Sequence, residues 1–351
     1  MRIQGRVVSG RGAGAAFTQL DWARQQFLER LGIDPYPGTL NLILDAPADL
    51  ARWTDLRIGP GRPVIPPDPQ WCNARCYPVR LAGRLPGAIV LPDVPDYPEA
   101  QVEIIAALPL RERLSLADGD RLSLDISRPL SVRAVIFDVD GTLVDSLEAY
   151  HVVAEMAAVP HGILVTREAV RHALNTNRMF WDLILPPDQP DREGLIHRLK
   201  EEAVRQWPEV LRAHGRVFPG LRETLETLRA RGAQLGIVTG SREGVFQPLR
   251  ENGLLGFFGA VVTGKDVRRR KPDPEGLLKC VATLGVRPDE AVYVGDTPLD
   301  VQASRAAGLA SAAVLTGAGD SALLSAEGPD WIVASHARLP DVLYIVHRDD
   351  S

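Results

Sequence analysis

Asp138 and Asp140 stand two residues apart directly after an apolar run, in Val135-Ile136-Phe137-Asp138-Val139-Asp140-Gly141-Thr142-Leu143-Val144-Asp145-Ser146. In an open α/β sheet, ligands bind beyond the carboxyl ends of the strands. The spacing puts both carboxylates at such a mouth, where one can attack a substrate and the other can move protons. Gly141 permits a sharp turn out of the strand. Three further apolar runs end in polar groups. Gly236-Ile237-Val238-Thr239-Gly240-Ser241 brings a hydroxyl, Arg270-Lys271-Pro272-Asp273-Pro274 an ammonium, and Val292-Tyr293-Val294-Gly295-Asp296-Thr297-Pro298-Leu299-Asp300 two more carboxylates. Each alone reads as a turn, a cap or a loop. All four in this order, each at a strand end, are hard to explain as turns.

The N-terminal third carries different candidates. Ser9-Gly10-Arg11-Gly12-Ala13-Gly14 is a glycine-rich turn after a short strand, a form that lets backbone amides approach phosphates. In Pro37-Gly38-Thr39-Leu40-Asn41-Leu42, Thr39 and Asn41 alternate along a strand and point the same way. Two neutral oxygens on one face suit a hard cation that also touches phosphates. Glu103, inside Val102-Glu103-Ile104-Ile105-Ala106, has apolar neighbours that can tune a general base. Taken singly, these are a hairpin, a turn entering a strand, and a solvent-facing strand residue.

The elements that must position these groups change character near residue 127. Residues 1–126 hold 14 of the 28 prolines, 11 of them between Pro60 and Pro109, a density that forbids long helices there. Short runs at 6–8, 39–44, 88–91 and 121–126 read as strands. One helix is expected from about Thr18 to Leu31, stopped by Gly32. This is a small β-rich domain, read as a barrel. After a joint at 127–131, apolar runs at 132–137, 235–238, 260–262, 291–294 and 312–315 alternate with helical stretches at 221–231, 274–284 and 300–307, the pattern of a buried parallel sheet. Between Ser146 and about Val217 lies a helical insert without strand signals.

Composition narrows the function. The chain has 351 residues and a formal charge of −5, against the basic excess of a broad nucleic-acid surface. It lacks an apolar run of membrane-spanning length and a signal-peptide core at the start, so a soluble cytoplasmic protein is expected. Cys72, Cys76 and Cys280 are too few for a disulfide framework, and no His or second Cys pair near the first two completes a zinc site. Only four of the 40 basic residues are lysines (Lys200, Lys265, Lys271 and Lys279). A lysine that persists among so many arginines draws notice, since the two cations differ in geometry.

On the four strand-end segments, residues 132–351 resemble the haloacid dehalogenase superfamily of phosphatases, close to its phosphoglycolate-phosphatase-like branch. The resemblance implies an α/β Rossmann-like fold with a helical cap at about 148–216. It implies Asp138 as nucleophile and Asp140 as the group that protonates the leaving oxygen and later activates water. It further implies that Thr239 and Lys271 hold phosphoryl oxygens, and that Mg²⁺ sits between Asp138, Asp296 and the backbone carbonyl of Asp140, with Asp300 supporting from behind. In the cap, Arg171, His172, Asn175, Asn177 and Arg178 are candidates to touch the substrate, against the plainer expectation of a solvated helix face.

On the glycine-rich turn, the Pro-Gly-Thr-Leu-Asn segment and the Glu-Ile-Ile-Ala segment, residues 1–126 resemble the archaeal-type CTP-dependent riboflavin kinases. The implied fold is a small β-barrel, making the chain multidomain. The implied roles put the nucleotide at Gly10, Gly12, Gly14 and Arg111, Mg²⁺ at Thr39 and Asn41, and Glu103 by the riboflavin hydroxyl. The joint expectation is a bifunctional enzyme of flavin metabolism, with Mg²⁺ and CTP on one side and FMN or a phosphorylated ribitylamino-pyrimidine as the ester on the other. Departures at Ala13, at Pro95 or Asp96, and at Ala107 define the competing expectation: a phosphoglycolate-type phosphatase with a non-catalytic flavin- or nucleotide-binding domain.

Overall fold

Alternating burial marks the first strands: in β1 (Arg2–Val8), Ile3, Gly5 and Val7 face inward while their neighbours face out, the period of a half-buried strand. The computed structural model describes residues 1–10, 13–59, 61–176, 178, 180–241 and 243–346. Contacts divide the chain into two units, Met1–Pro129 with Ser321–Ala334, and Leu130–Asp320 with Ser335–Ser351.

The first unit is built on β1, β2 (Leu40–Ile43), β3 (Arg62–Val64), β4 (Ala74–Leu81), β5 (Leu85–Pro92), β6 (Gln101–Ile105) and β7 (Arg121–Ile126). Six of them close an antiparallel barrel in the order β4-β5-β6-β2-β1-β7, and β7 returns to β4; β3 adds to the outside of β4. Closure leaves no free edge among the six. The interior holds Ile3, Val7, Leu42, Leu81, Ile89, Ile104 and Leu124, all nearly inaccessible, each contributing roughly 1.5–3 kcal/mol by burial.

The helix α1 (Asp21–Leu31) lays Ala23, Phe27 and Leu31 over Cys76, Ala88 and Val90 on the outer wall. It begins three residues later than the sequence suggests, after a short helical turn at Ala13–Thr18, and ends at Gly32 in the left-handed conformation. Two features depart from the expected pattern. A 12-residue helix at Pro47–Ile58 starts with its proline where no amide partner is needed. Pro78 lies inside β4, where its carbonyl accepts from the Ser127 amide at 2.9 Å.

In the second unit the strands are β8 (Leu130–Val132), β9 (Ala134–Phe137), β10 (Val144–Asp145), β11 (Arg216–Val217), β12 (Gln234–Val238), β13 (Ala260–Val262), β14 (Ala291–Gly295) and β15 (Ala310–Val314). Five of these run parallel in the order β13-β12-β9-β14-β15. Every residue of β9 is buried, as for a strand covered on both faces. Its central place brings the loops after β9, β12 and β14 to one edge. The expected run 132–137 is two strands, split at Arg133, whose guanidinium meets Glu290. The expected joint is correspondingly shorter, because β8 already pairs within this unit.

The insert contains α2 (Leu147–Ala158) and α3 (Arg192–His214), with shorter helices at Arg167–Leu174 and Phe180–Ile184. Its two ends are clipped by the antiparallel pair β10–β11, strands too short to give a pattern in the sequence.

By its contacts, Ser321–Ala334 groups with the first unit. Ser321 Oγ donates to the Gly32 carbonyl at 2.9 Å and accepts from the Asp34 amide at 3.2 Å. Arg80 reaches the carbonyls of Pro329 and Gly328. Arg62 lies 5.2 Å over the ring of Trp331, in β16 (Trp331–Val333). The chain then returns to the second unit, where β17 (Leu343–Ile345) pairs in parallel with β8. Among the described residues no helix is long and apolar enough to cross a membrane.

Candidate active site

Parallel strands deliver Asp138 and Asp140 from the end of β9, Thr239 from β12 and Asp296 from β14; Lys271 arrives from the loop after β13. They line one cavity of about 170 Å³ together with Gly141, Ser146, Leu147, Tyr150, Leu174, Gly240, Ser241, Thr297, Leu299 and Ala318. The sequence-expected phosphatase residues are thus brought together.

Lys271 Nζ is 3.1 Å from Asp138 Oδ2 and 2.6 Å from Asp300 Oδ1. It also donates to Tyr293 Oη at 3.0 Å, and that hydroxyl donates to the Val238 carbonyl at 2.7 Å. Burial pulls the ammonium toward neutrality, but Asp138 and Asp300 outweigh it and hold its pKa well above the usual value. Burial pushes Asp138 up to about 7, with Lys271 acting against it. Burial, then Asp300 and Asp138, raise Asp296 well above the carboxylate range.

Carboxylate oxygens of Asp138, Asp296 and Asp300 lie within 4.8 Å of one another. Asp138 Oδ1 is buried with no hydrogen-bond partner. Such an orphaned oxygen beside a second buried carboxylate fits a hard divalent cation. Asp296 is fixed by Thr142 Oγ1 at 3.1 Å and the Ala318 amide at 2.8 Å. Side chains at Gly141 or Gly317 would collide with it. Asp300 is already spent: besides Lys271, it accepts from the amides of Asp296 and Thr297 and from Thr297 Oγ1. It braces the cluster and the first turn of α4 (Pro298–Ala307).

Asp140 turns away from this cluster. Its Oδ1 accepts from Ser146 Oγ at 2.7 Å, and its Oδ2 from Ser241 Oγ at 2.7 Å and Tyr150 Oη at 3.2 Å. Burial still raises its pKa against those donors.

In the cap, Arg171, His172 and Arg178 are exposed. Asn175 donates to the Ala318 carbonyl at 2.9 Å, and Asn177 lies outside the described residues. The sequence reading missed Tyr150, Leu174 and Tyr293. A tyrosine inside a strand buried on both faces needs a partner for its hydroxyl, which was the available signal for Tyr293.

The barrel gathers its own candidates. Asn41 and Glu103 are direct neighbours across β2 and β6. Thr39 Oγ1 donates to Glu103 Oε2 at 3.4 Å, while Tyr97 Oη and Gln101 Nε2 donate to Oε1 at 3.1 and 3.0 Å. A side chain at Gly14 would meet Thr39, and one at Gly10 would meet Asn41, so these two glycines lie close against Thr39 and Asn41. Gly12 lies outside the described residues. Arg111 Nη2 donates to the Val8 carbonyl at 2.9 Å and to Asp118 Oδ1 at 2.7 Å. Ser9 and then Arg111 hold Asp118 below its usual pKa. Tyr36, Gly38, Thr39, Ile104, Leu108 and Arg111 line a cavity of about 230 Å³ beside them. Cys76 is buried, with burial pushing its thiol up to about 12, and Cys72 is exposed.

Residues 135–314 match the model of the haloacid dehalogenase-like hydrolases. Residues 7–126 match that of the CTP-dependent riboflavin kinases, described as a domain of unknown function, DUF120. A phosphoglycolate phosphatase from Chromobacterium violaceum is 33% identical over 239 residues, covering 60% of this chain and 96% of the relative. One from Salmonella choleraesuis is 30% identical over 241 residues, covering 63% and 96%. Among solved structures, a haloacid dehalogenase-like hydrolase from Streptococcus pneumoniae superposes with a TM-score of 0.51 at 20% identity, over 60% of this chain and 97% of that one.

Proposed function

We propose, for a chain that belongs to the haloacid dehalogenase-like hydrolases, that its second unit hydrolyses a phosphate monoester through an aspartyl-phosphate on Asp138. The observation that carries this is the orphaned, buried Asp138 Oδ1 beside Lys271 and Asp296. Asp138 attacks phosphorus, the ester oxygen departs with a proton from Asp140, and Asp140 then takes a proton from the water that releases phosphate. Thr239 and Lys271 hold the phosphoryl oxygens as charge moves. Asp138, Asp296 and the backbone carbonyl of Asp140 would hold Mg²⁺, which supplies the positive charge that lets a carboxylate approach a phosphate ester.

The substrate we propose is a phosphate ester on a neutral ribityl chain, either FMN or a phosphorylated ribitylamino-pyrimidine. The chain joins this unit to a CTP-dependent riboflavin kinase domain. The wall beyond the phosphoryl end is Leu147, Leu174, Leu299 and Ala318, and Lys271 is the one cation lining the cavity among the described residues. Among the described residues that line this wall, no second cation is placed to pair with a leaving group's own carboxylate, which a neutral leaving group does not need. Of the two esters, the pyrimidine is favoured, because dephosphorylating FMN would undo the kinase and waste nucleotide. The relatives' names support phosphoglycolate as the second reading.

In the barrel, Glu103 takes the proton of the riboflavin hydroxyl, with Oε2 as the oxygen left nearest Thr39. Thr39 and Asn41 are oxygen donors suited to a cation on the CTP phosphates. Phosphate release from the three esters with Mg²⁺ tests the phosphatase; a preference for phosphoglycolate would reverse the substrate assignment. FMN formation from riboflavin with CTP or ATP, in an Asp138→Asn background that spares the product, tests the kinase. Ligand binding without FMN formation would leave a binding domain.

A further inference from the structure

The partners of Asp140 are of one kind. Ser146, Ser241 and Tyr150 all approach its carboxyl with hydroxyls. A hydroxyl donates to a carboxylate and accepts from a carboxylic acid, so this cage accommodates both protonation states. An ammonium or guanidinium in the same place would favour the anion alone.

The three hydroxyls differ in where they are anchored. Ser146 precedes the insert and Ser241 follows β12, both on the sheet edge. Tyr150 stands one turn into α2, the first helix of the insert. Its ring lies 4.6 Å from that of Trp207, which belongs to α3. Its hydroxyl also lies 3.3 Å from Ser241 Oγ. The full cage therefore exists only while the insert holds Tyr150 over the site.

We propose that Tyr150 is a positioning residue for the proton-transfer step: packed on Trp207, it completes the hydroxyl cage that aims Asp140 at the leaving oxygen. The inference rests on the reading of Asp140 as the acid. It predicts dependence on leaving-group basicity, because an ester whose oxygen departs readily as an anion needs little help from an acid.

The test compares kcat/KM for phenyl phosphate and 4-nitrophenyl phosphate, esters of similar shape whose phenols differ in acidity. Tyr150→Phe keeps the stacked ring and removes the hydroxyl. It should lower kcat/KM for phenyl phosphate about tenfold, the size of one lost orienting hydrogen bond, and leave 4-nitrophenyl phosphate within about twofold. Ser241→Ala, which removes the other donor to Oδ2, should show the same selectivity. Trp207→Ala should show it more weakly, and Trp207→Phe, which keeps a ring against Tyr150, should bring both esters back toward the parent values. Equal losses on both esters, or none on either, would overturn the role of Tyr150. Asp140→Asn is the control: if it too fails to separate the esters, the assignment of Asp140 as acid is what has failed.

Discussion

The two candidate sites handle their polar atoms in opposite ways. At the end of the parallel sheet, carboxylates are crowded and buried, and Asp138 keeps one oxygen without a partner. In the barrel, Glu103 accepts from Thr39, Tyr97 and Gln101, Thr39 and Asn41 contact each other, and Arg111 is tied to Asp118. The first arrangement is costly without a ligand and ready for one; the second satisfies itself. Preorganisation of this kind favours rate, because the dipoles need not reorganise during the reaction. The barrel must exchange internal hydrogen bonds for those of its ligands.

Substitutions can separate the two. The largest effect belongs to Asp138→Asn, which removes the proposed nucleophile. Phosphate release should fall by about 10⁴ or more, on the scale of lost covalent catalysts, while FMN formation continues. Loss of both activities would mean that the sites are not independent.

Lys271→Arg comes next, with an expected loss of about 10²–10³ in kcat. A forked guanidinium does not fit where one ammonium meets Asp138, Asp300 and Tyr293. Near-normal turnover would show that charge alone suffices there. Glu103→Gln should cut FMN formation by about 10² with phosphate release unchanged, and a smaller loss would remove Glu103 from the role of base.

The last effect concerns stability rather than turnover. His336 is buried beside Thr224, and burial depresses its pKa to about 4. Between that value and the unfolded value of about 6.5, the unfolded chain binds a proton that the folded chain does not. Its contribution is complete above pH 6.5 and declines as pH falls toward 4, by about 3 kcal/mol at most. Urea melts at pH 7 and pH 4.5 should show a smaller pH-dependent loss for His336→Gln than for the parent; equal losses would exclude His336 as the titrating group.

Legibility in the sequence followed local pattern. Parallel strands buried on both faces announce themselves as continuous apolar runs, and Asp138, Thr239 and Asp296 each follow one, so the phosphatase cluster could be read by position. Barrel strands broken by proline and arginine were harder: β4 carries Arg75, Pro78 and Arg80, and its place depends also on β7, distant in the chain. Tyr150 and Trp207 lie 57 positions apart, and no local pattern pairs them. Glu103 was identified, but Tyr97 and Gln101 were not, because their partnership is a matter of how the strand entrance curls back.

The return of Ser321–Ala334 to the first unit bears on how this protein can be divided. The chain passes from one unit to the other three times, so no single cut yields two complete pieces. A gene broken at the first junction would encode a barrel deprived of the serine that caps Gly32 and of the carbonyls that engage Arg80. Cutting the chain there therefore costs the barrel these contacts, although no strand of the barrel itself is lost.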